Sequence, residues 1–387
     1  MTTIFQAATA ADFLALVPRL AGFSPTRSLV LVPFAGNRTL GVMRLDLPDD
    51  HDDVERFAST FVGLVCRIAT ADALAPVVYT DATFGETDGL PHDRLMSALL
   101  TRADICGLEV RDALCVAADG WGSYLDPTCP DEGRALAELR LDRAELTELP
   151  LRSGDQTGGA ALPLVDLVEK ERVGRALHDL SHAVSMLRHE TWADPDSPDD
   201  PARVDPRALA AAEALDDLPL LLEDALDWDP AGLDPFQAAA LGWSLMRPAL
   251  RDIALTQWCR DLDAGDEAAE AQVRWQEGEE YPAALASSMW GEGPRPDPDR
   301  LARALELARR VAVVMPRADR PGALAACAWL SWASGRSTHA AGYAEAALAI
   351  EPEHGLSQIV MTFVTNAHLP EWVFERPVPR GTLTRVI

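Results

Sequence analysis

The run from Phe13 to Phe34 constrains the fold more than any other segment. Phe13, Leu16, Val17 and Leu20 recur at helical spacing, which predicts a helix over residues 9–21 with one apolar face. Gly22 and Pro25 break that helix, and Ser28 to Phe34 follows at once as a continuous apolar strand. A short helix handed directly to a strand apolar along its whole length suits a sheet covered by helices.

The next residues extend this reading. Ala35-Gly36-Asn37-Arg38 is a turn, and Thr39 to Leu47 reads as a hairpin partner of the first strand. Asp53 to Ala71 patterns as a helix, Ala75 to Asp81 as a third strand, and Pro91 to Cys106 as a helix with Gly107 as its cap. Glu109 to Ala117 is a fourth strand, and Trp121 to Leu125 a short fifth one. The expectation is an α/β domain with a mixed sheet of about five strands and covering helices. It spans residues 1–190 and closes with a helix from Leu164 to His189.

Ala193 to Pro201 is acidic and interrupted by proline, so residues 191–205 read as a linker. From Asp194 to Asp234 there are 13 acidic residues against two arginines. That run is a solvated face or a docking surface for a basic partner. Residues 206–387 read as an all-α domain of stacked helical hairpins. Trp228, Trp243, Trp258, Trp275 and Trp290 recur about every 15 residues, which large core aromatics in successive helices explain. Near residues 300–370, Ala328, Gly335, Ala340, Ala347 and Pro352 follow the small-residue and terminal-proline spacing of a tetratricopeptide-like hairpin. Ala344 stands where that repeat has a large aromatic, with Tyr343 beside it.

Composition removes several function classes. The net charge is −27, so a broad nucleic-acid-binding face is not expected. Lys170 is the single lysine, a pattern that GC-rich codon usage explains, and no glycine-rich loop precedes it. P-loop and protein-kinase chemistry are therefore excluded, and Schiff-base chemistry has only Lys170 to use. No G-x-S-x-G elbow or G-x-G-x-x-G turn follows a strand. No run is long and apolar enough to span a membrane. The opening residues, Met1 to Gln6, do not resemble a secretory leader, so a cytoplasmic protein is expected. The six cysteines form no C-x-x-C pair, and most read as small buried residues.

Three groups of residues carry potential chemistry. In the loop from Trp121 to Gly133, Trp121 and Tyr124 can stack a ligand, Asp126 and Glu132 can exchange protons, and Cys129 can act as a nucleophile. The same loop also reads as a structural plug anchored by its aromatics. Arg44 and Asp46 alternate on the outgoing hairpin strand and, with Asp81, can hold a polar ligand or form a local ion pair. His178, His182 and His189 share a helix face with Glu171. No H-E-x-x-H pattern is present, so no metal and no cofactor is expected.

The L-x-x-V-P-x-L-x-G-F-x-P-x-x-S-L-V-x-V pattern runs intact from Leu14 to Val32. The Arg44-Leu45-Asp46-Leu47-Pro48 strand end, the Val78-Tyr79-Thr80 strand and the Trp121–Gly133 loop follow in order. Together they resemble the bacterial domain of unknown function 4192 family, common in high-GC actinobacteria. That resemblance implies a helical C-terminal part rich in Trp and Ala, and it transfers no activity. Relatives often carry paired cysteines in the loop; this chain has only Cys129 before Pro130. The expectation is therefore a non-catalytic regulatory or scaffolding protein whose helical half binds another protein. The alternative is an enzyme or small-ligand binder using the Trp121–Gly133 loop.

Overall fold

The computed structural model describes residue 7 and residues 9–49, 53–86, 89–139, 154–188 and 204–375. Contacts divide the chain into two compact units, Met1–Gly159 and Ala160–Ile387.

In the first unit, helix α1 (Ala10–Ala21) begins at a capping box in which Thr9 and Asp12 satisfy each other's backbone N–H groups. It ends at Gly22, whose φ of 79° is left-handed backbone that a side chain would strain. Its buried stripe is Leu14, Leu16 and Val17. Leu20, expected on that face, is exposed, because Leu14 and Val17 meet the sheet one turn earlier. Phe13 instead leans on Phe34 with ring centroids 6.1 Å apart.

The sheet has seven strands among the described residues. They are β1 (Ser28–Ala35), β2 (Arg38–Thr39), β3 (Met43–Asp46), β4 (Ala73–Tyr79), β5 (Glu109–Val110), β6 (Leu114–Val116) and β7 (Trp121–Ser123). The main path is β2-β1-β4-β6-β7, with β3 on β1 and β5 on β4. The count exceeds five because two expected strands each split. Residues 40–42 separate β2 from β3, and residues 111–113 separate β5 from β6. In the second break, Asp112 accepts hydrogen bonds from the Ala113 N–H and the Ser123 hydroxyl, at 2.8 and 2.6 Å. The sheet is mixed: β1 is antiparallel to β2, β3 and β4, while β4 is parallel to β5 and β6.

Strand alternation sorts the core into two layers. Leu29, Leu31, Leu74, Val78 and Cys115 pack against α2 (Val54–Cys66) and α3 (Asp93–Ile105). Val30, Val32, Val77, Tyr79, Leu114 and Trp121 face the opposite way, onto Leu14 and Val17 of α1.

The second unit is helical. Its elements are α4 (Leu167–Arg188), α5 (Pro206–Ala214), α6 (Leu218–Ala225), α7 (Pro235–Leu245), α8 (Pro248–Cys259), α9 (Leu262–Gln276), α10 (Ala283–Met289), α11 (Pro298–Val314), α12 (Pro321–Ala333), α13 (Ser337–Leu348) and α14 (Gly355–Thr365). Helices α5, α7 and α11 share one start signal. An Asp N-cap (Asp205, Asp234, Asp297) accepts from the second helical N–H, and proline fills the first helical position, where no N–H is needed.

Helix α4 was expected to close the α/β domain, but it packs with the helical unit. Its stripe of Val173, Ala176, Leu177, Leu180 and Ala183 joins the core that also contains Ala208 and Leu241. An amphipathic stripe must be covered, and α5 and α7 cover it. A boundary at residue 190 would part α4 from the helices that bury it. Most of the expected 191–205 linker, and His189, lie outside the described residues.

Every residue of α12 is buried, consistent with its uniformly apolar sequence. Ala328, Ala340, Ala344 and Ala347 are fully buried where α12 and α13 pack, and their small side chains allow a close approach. Trp243 and Trp258 are core residues, whereas Trp275 and Trp290 are about half exposed. The recurrent tryptophans are therefore not all core aromatics. Among the described helices, none is long and apolar enough to cross a membrane.

Candidate functional site

The Trp121–Gly133 loop is closed at its base by a two-way bridge. Trp121 and Arg134 exchange backbone hydrogen bonds of 3.0 and 2.7 Å. Tyr124 extends the β7 ladder by donating its N–H to the Ala113 carbonyl at 2.8 Å. Three positions separate the two aromatics, so alternation sends them to opposite faces of the sheet. Trp121 joins the α1 layer and Tyr124 packs on the α2–α3 layer. Residues expected to stack one ligand are thus divided by the sheet.

The remaining loop candidates are held locally. The Tyr124 hydroxyl donates to the Pro91 carbonyl, and burial pushes its ionisation far up. Asp126 accepts from the Thr128 N–H and hydroxyl at 2.8 and 2.7 Å and pairs with Arg134. Those bonds, Thr128 first and then Arg134, hold its carboxyl below the ordinary range. Cys129 packs against Gly122, where a Cβ would lie 2.6 Å from its sulfur. Glu132 is exposed. This arrangement fits a structural plug.

Arg44 is tied down in the same unit. Its register partner on β1 is Val30, and Ser28 stands opposite Asp46. The Arg44 side chain is buried, donates from Nε to the Ser28 hydroxyl at 2.7 Å, and pairs with the exposed Asp46. The bond to the Ser28 hydroxyl ties β3 to β1, while the Asp46 pair lies within β3. Asp81 stands apart, in an exposed pair 3.9 Å from Arg27.

On α4, His178 is exposed beside Lys170, Glu171 and Arg175 on a shallow surface. His182 lies one turn on and is partly buried. Among the described residues, no group of three or more His, Cys, Asp or Glu side chains is placed to hold a metal ion.

The clearest cavity lies in the helical unit, in a region that sequence reading did not single out. It is a cleft of about 660 Å³ bounded by α8, α14, the end of α10 and the start of α12. Met246, Trp290 and Ile359 form a partly exposed apolar wall. Arg251 lies in the floor with its side chain 7% exposed, and both Nε and Nη2 donate to Asp252, at 3.1 and 3.0 Å. Desolvation raises the Asp252 carboxyl, opposed by Arg251. His354 is the N-cap of α14, where its Nδ1 accepts from the Ser357 N–H. Burial first, and then Arg251, lower its basicity, so the ring is neutral at neutral pH. Asp319, Glu351 and Glu353 add negative charge to the lining.

The cleft therefore combines a hydrophobic wall, an internally paired arginine and an acidic lining. Its wall and floor residues are drawn from a span of more than 100 positions, Met246 to Ile359, so no local motif announces them. The closest sequence signal is Trp290, the last of the recurrent tryptophans.

No match to the chain was found among curated proteins or among solved structures. A family pattern does match, from residue 11 to residue 371, a span that takes in the α1–β1 segment, the Trp121 loop and the helices through α14. The chain belongs to the family described as domain of unknown function (DUF4192).

Proposed function

We propose that this protein is a non-catalytic binding protein, serving a regulatory or scaffolding role, whose helical unit docks a segment of another protein in the α8–α14 cleft. The carrying observation is the cleft itself: exposed Trp290, Ile359 and Met246 beside Asp319, Glu351 and Glu353. Apolar area next to acidic groups suits a segment with an aliphatic or aromatic anchor flanked by Lys or Arg. The −27 net charge steers basic partners towards the chain and nucleic acids away from it. Helices α12 and α14 start 34 residues apart, at Pro321 and Gly355, which supports the tetratricopeptide-like reading of this stack. Its free cysteines suit a reducing cytoplasm.

The test is a display library of short random peptides selected on the full-length protein at physiological salt. Enriched sequences should pair Lys or Arg with a large apolar residue. Their affinity should fall about tenfold in Trp290→Ala, a loss of about 1.4 kcal/mol, and should weaken in Glu351→Gln/Glu353→Gln and at high salt. Enrichment of acidic peptides, or binding indifferent to all three changes, would overturn the reading.

A further inference from the structure

Six cysteines are spread along the chain, and the fold brings two of them together. Cys66 is the last residue of α2, and Cys106 caps the C-terminus of α3. The two helices pack side by side on one face of the sheet. The chain then enters neighbouring parallel strands, with Ala73 opposite Glu109 and the Glu109 N–H donating to the Asp72 carbonyl at 3.0 Å. Both helix ends therefore lie at the same end of the sheet. The Cys66 and Cys106 thiols lie near enough there to act on each other's ionisation, and both residues are exposed. The other cysteines are differently placed: Cys115, Cys259 and Cys327 are buried, and Cys129 is packed against Gly122.

We propose that Cys66 and Cys106 form a surface dithiol that closes reversibly into an intramolecular disulfide when it meets a low-molecular-weight disulfide. Two helix C-termini present partial negative charge, which disfavours a standing pair of thiolates and so a thiolate metal clamp. Desolvation, and then the Cys106 thiol itself, hold the Cys66 thiol above its ordinary range. A neutral dithiol, and after oxidation a neutral disulfide, suits that setting.

The exchange balances in two steps. One cysteine loses its proton and attacks a sulfur of the small disulfide; the S–S bond breaks, a mixed disulfide forms, and the first small thiolate leaves and takes up a proton. The second cysteine, deprotonated in turn, attacks the protein sulfur of the mixed disulfide and expels the second small thiol. The protein is oxidised by two electrons, and the small disulfide is reduced to two thiols. An exposed disulfide of this kind is readily reduced again.

Trypsin makes the test direct, because Cys66 lies alone in the peptide Phe57–Arg67 and Cys106 alone in Ala103–Arg111. The full-length protein is equilibrated with oxidised glutathione, alkylated, digested and weighed. The expected product is a linked pair of these two peptides, lighter than their sum by two hydrogens and abolished by dithiothreitol. Cys66→Ser and Cys106→Ser, with unchanged far-UV circular dichroism, should each lack the link and carry glutathione on the remaining cysteine. The oxidised wild-type protein should melt about 5 °C higher than the reduced one. Glutathione on both cysteines without a link, or a link only between two copies of the chain, would overturn the proposal.

Discussion

Arg300 on α11 grips Glu223 on α6 with both ends of its guanidinium, Nη1 at 2.6 Å and Nη2 at 2.5 Å. The same side chain donates to the Gln257 carbonyl on α8 at 3.3 and 3.2 Å, and the Gln257 amide returns to Glu223 at 2.9 Å. One planar fork thus fastens three helices. Replacing Arg300 with Leu leaves Glu223 and a backbone carbonyl without their main donor. We expect a loss of about 2 kcal/mol in urea unfolding of the full-length protein. Unchanged stability would show that the network is incidental.

The Arg300 bond also holds the Glu223 carboxyl below the ordinary glutamate range. A carboxylate depressed on folding contributes stability that is fully present above its unfolded pKa and is lost as pH falls through the folded value. The wild type should therefore lose melting temperature below about pH 4.5, the ordinary range of the group, and Glu223→Gln should lose less over that interval. An identical slope in the two proteins would remove Glu223 from the acid response.

His354 acts in a higher window. Its basicity is lowered on folding, mainly by burial, so the unfolded chain takes up a proton more readily than the folded one. Stability is complete above about pH 6.5 and declines as pH falls through the lower folded value. His354→Asn keeps a side-chain acceptor for the Ser357 N–H and cannot titrate. Its melting temperature should vary less than that of the wild type between pH 7 and 5.5.

Gly122 tests the loop as a plug. A methyl group there meets the Cys129 sulfur, with Leu90 and Phe84 each 3.4 Å away. Gly122→Ala should cost about 1–3 kcal/mol, and adding Cys129→Ala should restore part of that loss. Additive effects in the double variant would mean the two residues do not share the space.

Ala344 lies on α13, which packs against α12. It is fully buried, and its neighbour Tyr343 is buried as well. Ala344→Phe should overpack the α12–α13 contact and lower stability by about 1–3 kcal/mol in chemical denaturation. A neutral or stabilising outcome would mean that room for the aromatic exists.

Much of the fold was legible in the chain itself. Helix and strand periodicity carry α1, β1, β4, α3 and the long helical half, because a 3.6-residue or two-residue period is a local property. The Asp–Pro helix starts at Asp205, Asp234 and Asp297 are local too. The same alternation sets Trp121 and Tyr124 on opposite faces, but only if the strand continues to Tyr124, and the Ala113 partner that continues it comes from a separate stretch of chain.

The remaining features depend on chain segments that meet only in three dimensions. Helix α4 reads the same whichever unit buries it, and packing on α5 and α7 assigns it to the helical one. The cleft draws Met246, Trp290 and Ile359 from three helical regions, and none of their local patterns marks a shared wall. Cys66 and Cys106 are forty residues apart, and the parallel entry of β4 and β5 brings the helix ends that carry them to the same end of the sheet. Local sequence determines which elements form and which of their faces are apolar. Long-range packing, which alone covers those faces, decides which side chains become neighbours and so where chemistry can occur.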